Sequence, residues 1–509
     1  MSGGSGAAGA TPARLLAREI LAEARTRDAF VRELVESRRR RYFGDASVRY
    51  SSRSFPRVSS SARTAPPADP APPAAQSAPA ASADSPAAAP SAAESAPEPA
   101  REPSREPSRD PRTAVPEISR EDFNFAQVLV FGVTMCSGTL DEALNARLDS
   151  PRSVRPKLRD ALRISAYELI FLGKPAHVAV NQGVELARSV EPRAAGLANA
   201  VLRRLAADAP TFPWGNPLSD DAALSRCHGV PEWLATRLAG ELGRTRASSV
   251  LAACLEPPPT YLAANPFDPD SPFPSDLAAQ QVASLVPLGG EILEIGAGRG
   301  TKTMLLESRS MAELGRTTSI HTVDSHAYKQ RILEERLAAY GIDSVTAHTG
   351  DARDLASVEG LPQSFDAVLV DAPCSGTGTL RRHPEIRWRL EPEDVTVLAD
   401  LQYALLAQAA SRCRAGGTVV YSTCSILAEE NEGVVERFMR SELGESFAIE
   451  PVRPGELLGA QAAAAARAPG VRGGWGLDEQ SITSWGCFSS LPEDSGPDGH
   501  FAARFHRFQ

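Results

Sequence analysis

The stretch EILEIGAGRGTKT, residues 291–303, decides the fold of the C-terminal half of this 509-residue chain. A short apolar run ends there in a turn with three glycines, spaced ExGxGxG from Glu294. Glycines in such a turn let the backbone bend tightly and approach a ligand. Four further apolar runs alternate with helical stretches, at residues 321–323, 345–348, 367–370 and 418–422. This alternation predicts a doubly wound parallel sheet with helices on both faces.

Ligands of such sheets bind beyond the carboxyl ends of the strands, near the point where the strand order reverses. The glycine turn alone suits a dinucleotide-dependent dehydrogenase or a class I methyltransferase about equally. Asp324 follows the second apolar run, where its carboxylate could accept both hydroxyls of a bound ribose or could simply cap a helix. Asp351 follows the third run, where it could accept from an adenine amino group or be an ordinary loop aspartate.

The next two strand ends each carry a cysteine. VLVDAPCSGTGTLRRHPEIRW (368–388) and GGTVVYSTCSILAEENEG (416–433) place Cys374 and Cys424 just past buried strands. A single cysteine in such a position is usually a small buried hydrophobe. Two of only seven cysteines at matching strand ends, one of them close to Asp371, favour chemistry instead.

The N-terminal half has helical periodicity. It begins at residues 13–40 and continues through candidate helices at 120–136, 139–147, 155–171, 177–190 and 193–206. Short connections between them predict an antiparallel bundle. Residues 151–208 contain ten Lys and Arg against five Asp and Glu, although the whole chain has a net charge of −9. This local excess is a candidate RNA-backbone surface, but a solvated helix face explains it about equally well.

Composition excludes several protein classes. Fifteen of the 41 prolines lie between Pro56 and Pro116, among Ala, Ser and the repeat REPSREPSRDPR, so we predict a disordered spacer at 44–116. The seven cysteines form no CxxC pair, which argues against a disulfide framework and a zinc ribbon. No apolar run approaches the ~18 residues that a membrane span needs, and the N-terminus has no secretory apolar region. We therefore expect a cytoplasmic protein.

These segments resemble the RNA (cytosine-5) methyltransferases of the Sun type, which include bacterial small-subunit rRNA methyltransferase B. The resemblance rests on DAPCSGTG with RRHPEIRW, and on YSTCS with EEN. Residues 180–205 are similar to the NusB-like RNA-binding bundle of that family, and HGVPEWL and LPEDSGPDGHFAARF are similar too. The implied organisation is an all-α NusB-like bundle (1–43 and 117–208, divided by the 44–116 insert), a helical connector (209–270) and an α/β class I, Rossmann-like methyltransferase domain (271–509).

The resemblance also implies a mechanism. Cys424 adds to C6 of cytosine, so that C5 becomes nucleophilic enough to attack the methyl group of S-adenosylmethionine. Cys374 assists product release, and Asp371 hydrogen-bonds the base and stabilises developing charge. The residues implied around S-adenosylmethionine are Gly296, Ala297, Gly298, Arg299, Gly300, Thr301, Lys302, Asp324, Asp351 and Asp371.

A basic segment follows the catalytic turn. Arg381, Arg382 and Arg387 stand there close to Glu385, and we predict that they bind RNA phosphates. The target base must leave any stack to reach a thiol, so an unpaired site is expected. We expect RNA, foremost rRNA, as the partner of a monomer, with no membrane and no metal.

The sequence departs from the family at two places. The family loop CAAPGGKT reads GAGRGTKT here, with Arg299 in place of proline. The family has a small α/β RNA-binding subdomain between an Arg-Val-Asn segment and the first methyltransferase helix. Here TYLAANPFDPDSPFPSDLAAQQVAS, with Ala264-Asn265 in place of Val-Asn, runs from one to the other in about twenty residues, so that subdomain is largely deleted. This second departure keeps tRNA and 23S rRNA open as alternative substrates.

Three other classes compete with an rRNA methyltransferase. A dehydrogenase has no use for the paired cysteines. A DNA cytosine methyltransferase uses the Cys of a Pro-Cys motif as its nucleophile, whereas the Thr423-Cys424 motif favours RNA. A degenerate, RNA-binding paralogue without activity has no need to keep both thiols.

Overall fold

A computed structural model describes residues 9–44, 118–209, 215–453 and 481–508. The predicted disordered spacer lies outside these residues except for Gly44. The described chain forms a helical bundle, a helical connector and an α/β domain.

The bundle contains helices from both sides of the proline-rich segment. They are α1 (Pro12–Arg27), α2 (Val31–Phe43), α3 (Arg120–Met135), α4 (Ser137–Asn145), α5 (Pro156–Ile170), α6 (Ala176–Val190) and α7 (Ala195–Asp208). The five helices predicted after residue 119 are confirmed to within two residues at each end. The periodic stretch 13–40 is two helices rather than one, because Asp28 takes a left-handed conformation with φ 50°. Within the described residues no single helix could span a membrane; only α3 and α4 together pass the length and hydropathy test, and they are bent by 75°.

A buried ion pair fastens α1 to α5. Arg14 Nε donates to Glu168 Oε2 at 2.9 Å, and Nη2 donates to Oε1 at 2.5 Å. The Glu168 side chain is fully buried and that of Arg14 nearly so. Two parallel hydrogen bonds to a guanidinium group offset much of the cost of burying a carboxylate.

Replacing Arg14 tests how much the Arg14–Glu168 ion pair contributes to stability. Arg14→Ala leaves Glu168 buried without a counter-ion, so we expect the free energy of unfolding to fall by about 3–5 kcal/mol. The double variant Arg14→Met with Glu168→Met removes both charges and should recover most of that loss. Denaturant unfolding of both proteins measures the difference. A single variant as stable as the double one would show that the pair does not hold α1.

The connector is helical and leads to a very small ribbon. It contains α8 (Asp221–His228), α9 (Glu232–Leu242) and α10 (Arg244–Ala253). Strands β1 (Leu262–Ala263) and β2 (Phe273–Pro274) then pair antiparallel. This two-residue ribbon occupies the place where the family resemblance implies a small α/β subdomain.

The α/β domain is built on one eight-stranded sheet. Its strands are β3 (Ile292–Ile295), β4 (Ile320–Asp324), β5 (Val345–Thr349), β6 (Phe365–Asp371), β7 (Cys413–Thr423), β8 (Phe447–Ile449), β9 (Phe488–Ser490) and β10 (His500–Arg507). Its helices are α11 (Leu277–Ser284), α12 (Thr301–Leu314), α13 (Ala327–Ala339), α14 (Ile386–Arg389), α15 (Pro392–Arg412) and α16 (Glu432–Met439). Residues of β3, β4, β6 and β7 form the buried centre between the helix layers.

The strand order is β5-β4-β3-β6-β7-β10-β8, with β9 also paired to β10. The five predicted strands, β3 to β7, are confirmed and run parallel. The sheet as a whole is mixed, because β10 inserts antiparallel to β7, β8 and β9. An antiparallel neighbour needs no crossover helix, so the chain can complete the sheet in a short C-terminal segment. The order reverses between β3 and β6, which locates the expected ligand edge at their carboxyl ends.

Candidate active site

The two cysteines meet because β6 and β7 are neighbours in parallel register, with Asp371 opposite Ser422. The chain beyond each strand therefore reaches the same point, and the Sγ atoms of Cys374 and Cys424 lie 3.2 Å apart. The backbone N–H of Cys424 also donates to the Sγ of Cys374 at 3.2 Å. Both residues are half-buried.

The environment of the two thiols is not symmetric. The hydrogen bond with Cys424, followed by burial, raises the pKa of Cys374 well above its ordinary value. Cys374 therefore keeps its proton at neutral pH. A protonated thiol next to a second sulfur stabilises negative charge on that sulfur, which suits Cys424 as the nucleophile.

A buried cation stands beside the thiols. Lys302 Nζ lies 2.7 Å from Asp371 Oδ1, and its side chain is only 9% exposed. Burial favours a lower pKa for Lys302, but the charges of Asp371 and Cys424 outweigh it and raise the pKa. Lys302 is therefore an ammonium ion at neutral pH, and such a cation favours a thiolate nearby.

A buried carboxylate, Glu430, fixes the turn that carries Cys374. It accepts the backbone N–H of Ser375 at 2.7 Å and the hydroxyl of the same residue. Gln402 donates through Nε2 both to Glu430 Oε1 and to the carbonyl of Pro373, each at 2.9 Å. Glu430 belongs to the EEN motif, but only the fold reveals that its role is structural support.

The two cysteine turns are also joined directly. Gly378 N–H donates to the carbonyl of Cys424 at 2.9 Å, and Ile426 N–H donates to Thr377 Oγ1 at 3.1 Å. A Cβ atom on Gly378 would lie 2.1 Å from the carbonyl oxygen of Gly499, so only glycine fits this approach. One rigid unit therefore carries both thiols.

The glycine turn after β3 packs against the same strand end. Gly296 has φ +82°, and a Cβ there would come within 2.2 Å of the Asp371 carbonyl oxygen. At Gly298, by contrast, a Cβ would meet nothing closer than 3.9 Å, which leaves open space above the turn. Arg299, the departure from the family loop, is 59% exposed and its Nη2 lies 3.4 Å from Glu33 Oε1 in α2. This side chain therefore leaves the space above the turn free.

The remaining predicted cofactor residues lie at neighbouring strand ends. Asp324 accepts the N–H of Gly298 at 3.1 Å through Oδ2 and that of His326 at 2.8 Å through Oδ1, so it shapes the glycine turn. Asp351 is half-exposed and bonded to Arg353, which lowers the pKa of the carboxyl. The carboxyl ends of the central strands bring six of these residues to one edge of the sheet: Gly296, Lys302, Asp324, Asp371, Cys374 and Cys424. Asp351 follows β5, the outermost of the parallel strands. The contacts of these residues with a nucleoside stay predictions.

The three arginines predicted to bind phosphates have protein partners instead. Arg381 is buried, with its Nε 2.6 Å from Asp498 Oδ1. Arg382 pairs with Asp498 and Asp276. Arg387 is fully buried and donates to the carbonyls of Leu380 and Cys254, at 2.6 and 2.8 Å. Burial of Arg381 and Arg387 and the ion pairs of Arg381 and Arg382 do not favour contact with a phosphate, and RNA binding by the three arginines stays a prediction.

Arg381→Ala separates the structural role from an RNA-binding role. Because Asp498 is buried, we expect the free energy of unfolding to fall by about 3 kcal/mol. The slope of log binding constant against log salt concentration for RNA binding should stay unchanged. A lost phosphate contact would reduce the size of that slope by about one. The control is Arg414→Ala, whose exposed pair with Asp366 should contribute less than about 1 kcal/mol. A stable Arg381→Ala protein with a smaller salt slope would support a phosphate contact of Arg381 instead.

Two buried titratable groups escaped the sequence analysis. Glu294, in the first strand of the glycine motif, accepts from Thr303 at 2.6 Å, and its Oε1 has no partner among the described residues. Burial raises its pKa to about 7. His500 is buried at the start of β10, where burial lowers its pKa. Both residues stand in quoted motifs, but their ionisation depends on burial, which no sequence pattern reveals.

The pKa of Glu294 predicts a pH-dependent stability. Its folded pKa of about 7 exceeds the ordinary 4.5, so the folded state binds the extra proton between these values. Its contribution to stability is therefore present below pH 4.5 and is lost as pH rises to 7. From pH 5 to pH 8, the free energy of unfolding of Glu294→Gln relative to wild type should rise by about 2.5 kcal/mol. Denaturant unfolding at both pH values measures this gain, and an equal difference at both would refute the shift.

Comparison with known proteins agrees with this geometry. The family model described as 16S rRNA methyltransferase RsmB/F matches residues 284–506, and the NusB family model matches residues 92–207. Putative methyltransferase MT1451 of Mycobacterium tuberculosis is 33% identical over 64% of this chain and 80% of its own length. Ribosomal RNA small subunit methyltransferase B of Thermus thermophilus is 32% identical over 67% of this chain and 83% of its own length.

A solved structure supports the fold. The crystal structure of PH0851 superposes with a TM-score of 0.56 at 20% identity, over 76% of this chain and 91% of that chain.

The sheet, the glycine turn and the paired thiols, with a NusB domain attached, define an S-adenosylmethionine-dependent RNA methyltransferase. The chain belongs to the 16S rRNA methyltransferase RsmB/F family. Its reaction is therefore methyl transfer to ribosomal RNA. Among the described residues no cluster of His, Cys, Asp or Glu could hold a metal ion.

Proposed function

We propose that this enzyme methylates C5 of an unpaired cytosine in 16S rRNA through a covalent bond between Cys424 and C6. The observation that carries the proposal is the pair of thiols, 3.2 Å apart, beside the ion pair of buried Lys302 with half-buried Asp371. Methylation of a nitrogen or a hydroxyl has no need of two cysteines, because those atoms are already nucleophilic.

The first step is addition to the base. The Cys424 thiolate forms a bond with C6, and the C5–C6 π electrons move toward C5 and the N3–C4 region of the ring. Asp371, fixed by Lys302, would accept a hydrogen bond from the exocyclic amino group at this edge and so orient the base, while the positive charge of Lys302 would stabilise the negative charge that develops on the ring. Bound S-adenosylmethionine supplies the electrophilic methyl group.

The second task is release. After C5 carries both methyl and hydrogen, the C5 proton leaves to water and the C6–S bond breaks, which returns its electron pair to Cys424. Cys374 keeps its proton and lies against the departing sulfur, so it stabilises the leaving thiolate.

The glycine turn suits the cofactor. The nucleoside would bind above Gly298, where an added Cβ atom would meet nothing closer than 3.9 Å and a backbone without side chains allows close approach. Asp324 would hold the ribose from the end of β4, and Asp351 the adenine from the end of β5, while Ala297 and Thr301 complete the turn.

The relatives support the choice of substrate. The Thermus thermophilus relative is named for the small ribosomal subunit, and 16S rRNA is in the family description. We propose that the NusB-like bundle supplies the main RNA surface, because the ribbon before α11 is too small to do so. The enzyme would then act as a monomer in the cytoplasm, where ribosomes assemble.

The test is methyl transfer from labelled S-adenosylmethionine to unmodified small-subunit rRNA, followed by nucleoside analysis. Wild type should yield 5-methylcytidine, and Cys424→Ala should lose at least about 10³-fold in rate. Cys374→Ala should accumulate a protein–RNA adduct that survives denaturing electrophoresis. The control is Cys413→Ala, a buried thiol at the opposite end of β7, which should keep its activity.

Other outcomes would contradict specific parts of the proposal. Methylation of tRNA or 23S rRNA alone would overturn the substrate but keep the chemistry. A methylated nucleoside other than 5-methylcytidine would overturn the chemistry. A protein that binds RNA but neither binds the cofactor nor transfers methyl would be a degenerate paralogue.

A further inference from the structure

The segment that follows the catalytic turn packs against the helical bundle. We call residues 383–389, HPEIRWR, the latch. It begins six residues after Thr377 and ends before α15. The sequence predicts that this region faces RNA, but its contacts are with α2, α3, α4 and the connector.

Trp388 makes the closest contact with the bundle. Its Nε1–H donates to the carbonyl oxygens of Thr134 and Met135, at 2.9 and 3.2 Å, where α3 ends. Its ring lies directly over Gly138 in α4, so close that a Cβ atom there would be 2.3 Å from the ring. The glycine therefore makes room for the tryptophan.

Glu385 and Arg389 contact the residues at the start of α2. Glu385 Oε1 accepts the backbone N–H of Val31, the first residue of that helix, and thereby serves as its cap from another domain. Arg389 Nη2 lies 2.8 Å from Asp28 Oδ1, and its guanidinium stacks 5.0 Å from the centre of the Phe30 ring. The left-handed residue that divides α1 from α2 is thus part of the same contact.

The latch is joined to the thiols by a short, continuous path. His383 N–H donates to the carbonyl of Thr379 at 3.0 Å, and Thr379 N–H donates to that of Gly376 at 2.8 Å. One residue before Thr379, Gly378 bonds the carbonyl of Cys424. A shift of the latch therefore moves the backbone that holds the nucleophile.

We propose that the helical bundle positions the catalytic turn through the latch, with Trp388 and Glu385 as positioning residues for methyl transfer. The proposal rests on the RNA methyltransferase activity of the family and not on the identity of the rRNA. The bundle then has two tasks, because it orders the catalytic thiols besides contacting RNA. A displacement of about 1 Å at reacting atoms costs on the order of 10²-fold in rate, so even a modest shift is measurable.

The test uses two glycines of the bundle. Gly138→Ala adds a methyl group that must displace Trp388, and it lies outside the methyltransferase domain. Gly196→Ala in α7 is the matched control, because a Cβ there meets nothing within 4 Å. We expect Gly138→Ala to lower kcat at saturating RNA by about 10- to 100-fold, with unchanged KM for S-adenosylmethionine. The control should stay within about twofold of wild type.

Trp388→Phe keeps a ring over Gly138 but removes the hydrogen bond to α3. It should lose less activity than Gly138→Ala, and it replaces that variant if Gly138→Ala fails to fold. An increase in KM for RNA with unchanged kcat would overturn the proposal, since the bundle would then only anchor RNA. Wild-type kcat in both variants would overturn it as well.

A second readout does not depend on RNA. Alkylation of Cys424 by iodoacetamide, followed by peptide mass spectrometry, reports the position of the nucleophile directly. Its rate in Gly138→Ala should differ from wild type by more than about threefold, while Gly196→Ala should match wild type. Equal alkylation rates in Gly138→Ala and wild type would refute the proposal that the latch positions the nucleophile. If wild type transfers no methyl to any RNA, the proposed function fails, but the alkylation rates still show whether the latch positions Cys424.

Discussion

Two parallel strands that end side by side determine the rest of the active site. Because β6 and β7 are in register at Asp371 and Ser422, the turns beyond them reach one point and bring two sulfur atoms to 3.2 Å. The roles of three other residues depend on this meeting of the two turns. Glu430 and Gly378 fix the turns by hydrogen bonds, and Lys302 sets the local charge. Moving one strand by a residue would turn a thiol to the other face of the sheet.

Charge is then distributed unequally over this cluster. The pKa of Cys374 is raised, so it keeps its proton, and the pKa of Lys302 is raised, so it keeps its positive charge. A chemically symmetric pair of cysteines thereby acquires two roles. In the proposed mechanism the same asymmetry suits both addition and release, because Cys424 attacks C6 as a thiolate and leaves C6 as a thiolate.

Short-range sequence patterns predicted the features that depend on residues close together in the chain. The five parallel strands and the glycine turn follow from hydrophobic period and glycine spacing, and the convergence of the two cysteines follows from their place at strand ends. The protein partners of the arginines could not be predicted because they are remote in sequence: Arg381 pairs with Asp498 and Arg387 with the carbonyl of Cys254, each more than 100 residues away. The antiparallel insertion of β10 was missed for the same reason, since a short C-terminal strand does not reveal which neighbour it joins.

The direct test of the covalent mechanism is to trap its adduct on the wild-type enzyme. RNA that carries 5-fluorocytidine at the target allows addition and methyl transfer but not release, because fluorine cannot leave C5 as a proton does. Peptide mapping of the trapped complex should find one methylated nucleotide attached to Cys424. Attachment to Cys374, or methyl transfer to this RNA without any covalent complex, would contradict the mechanism.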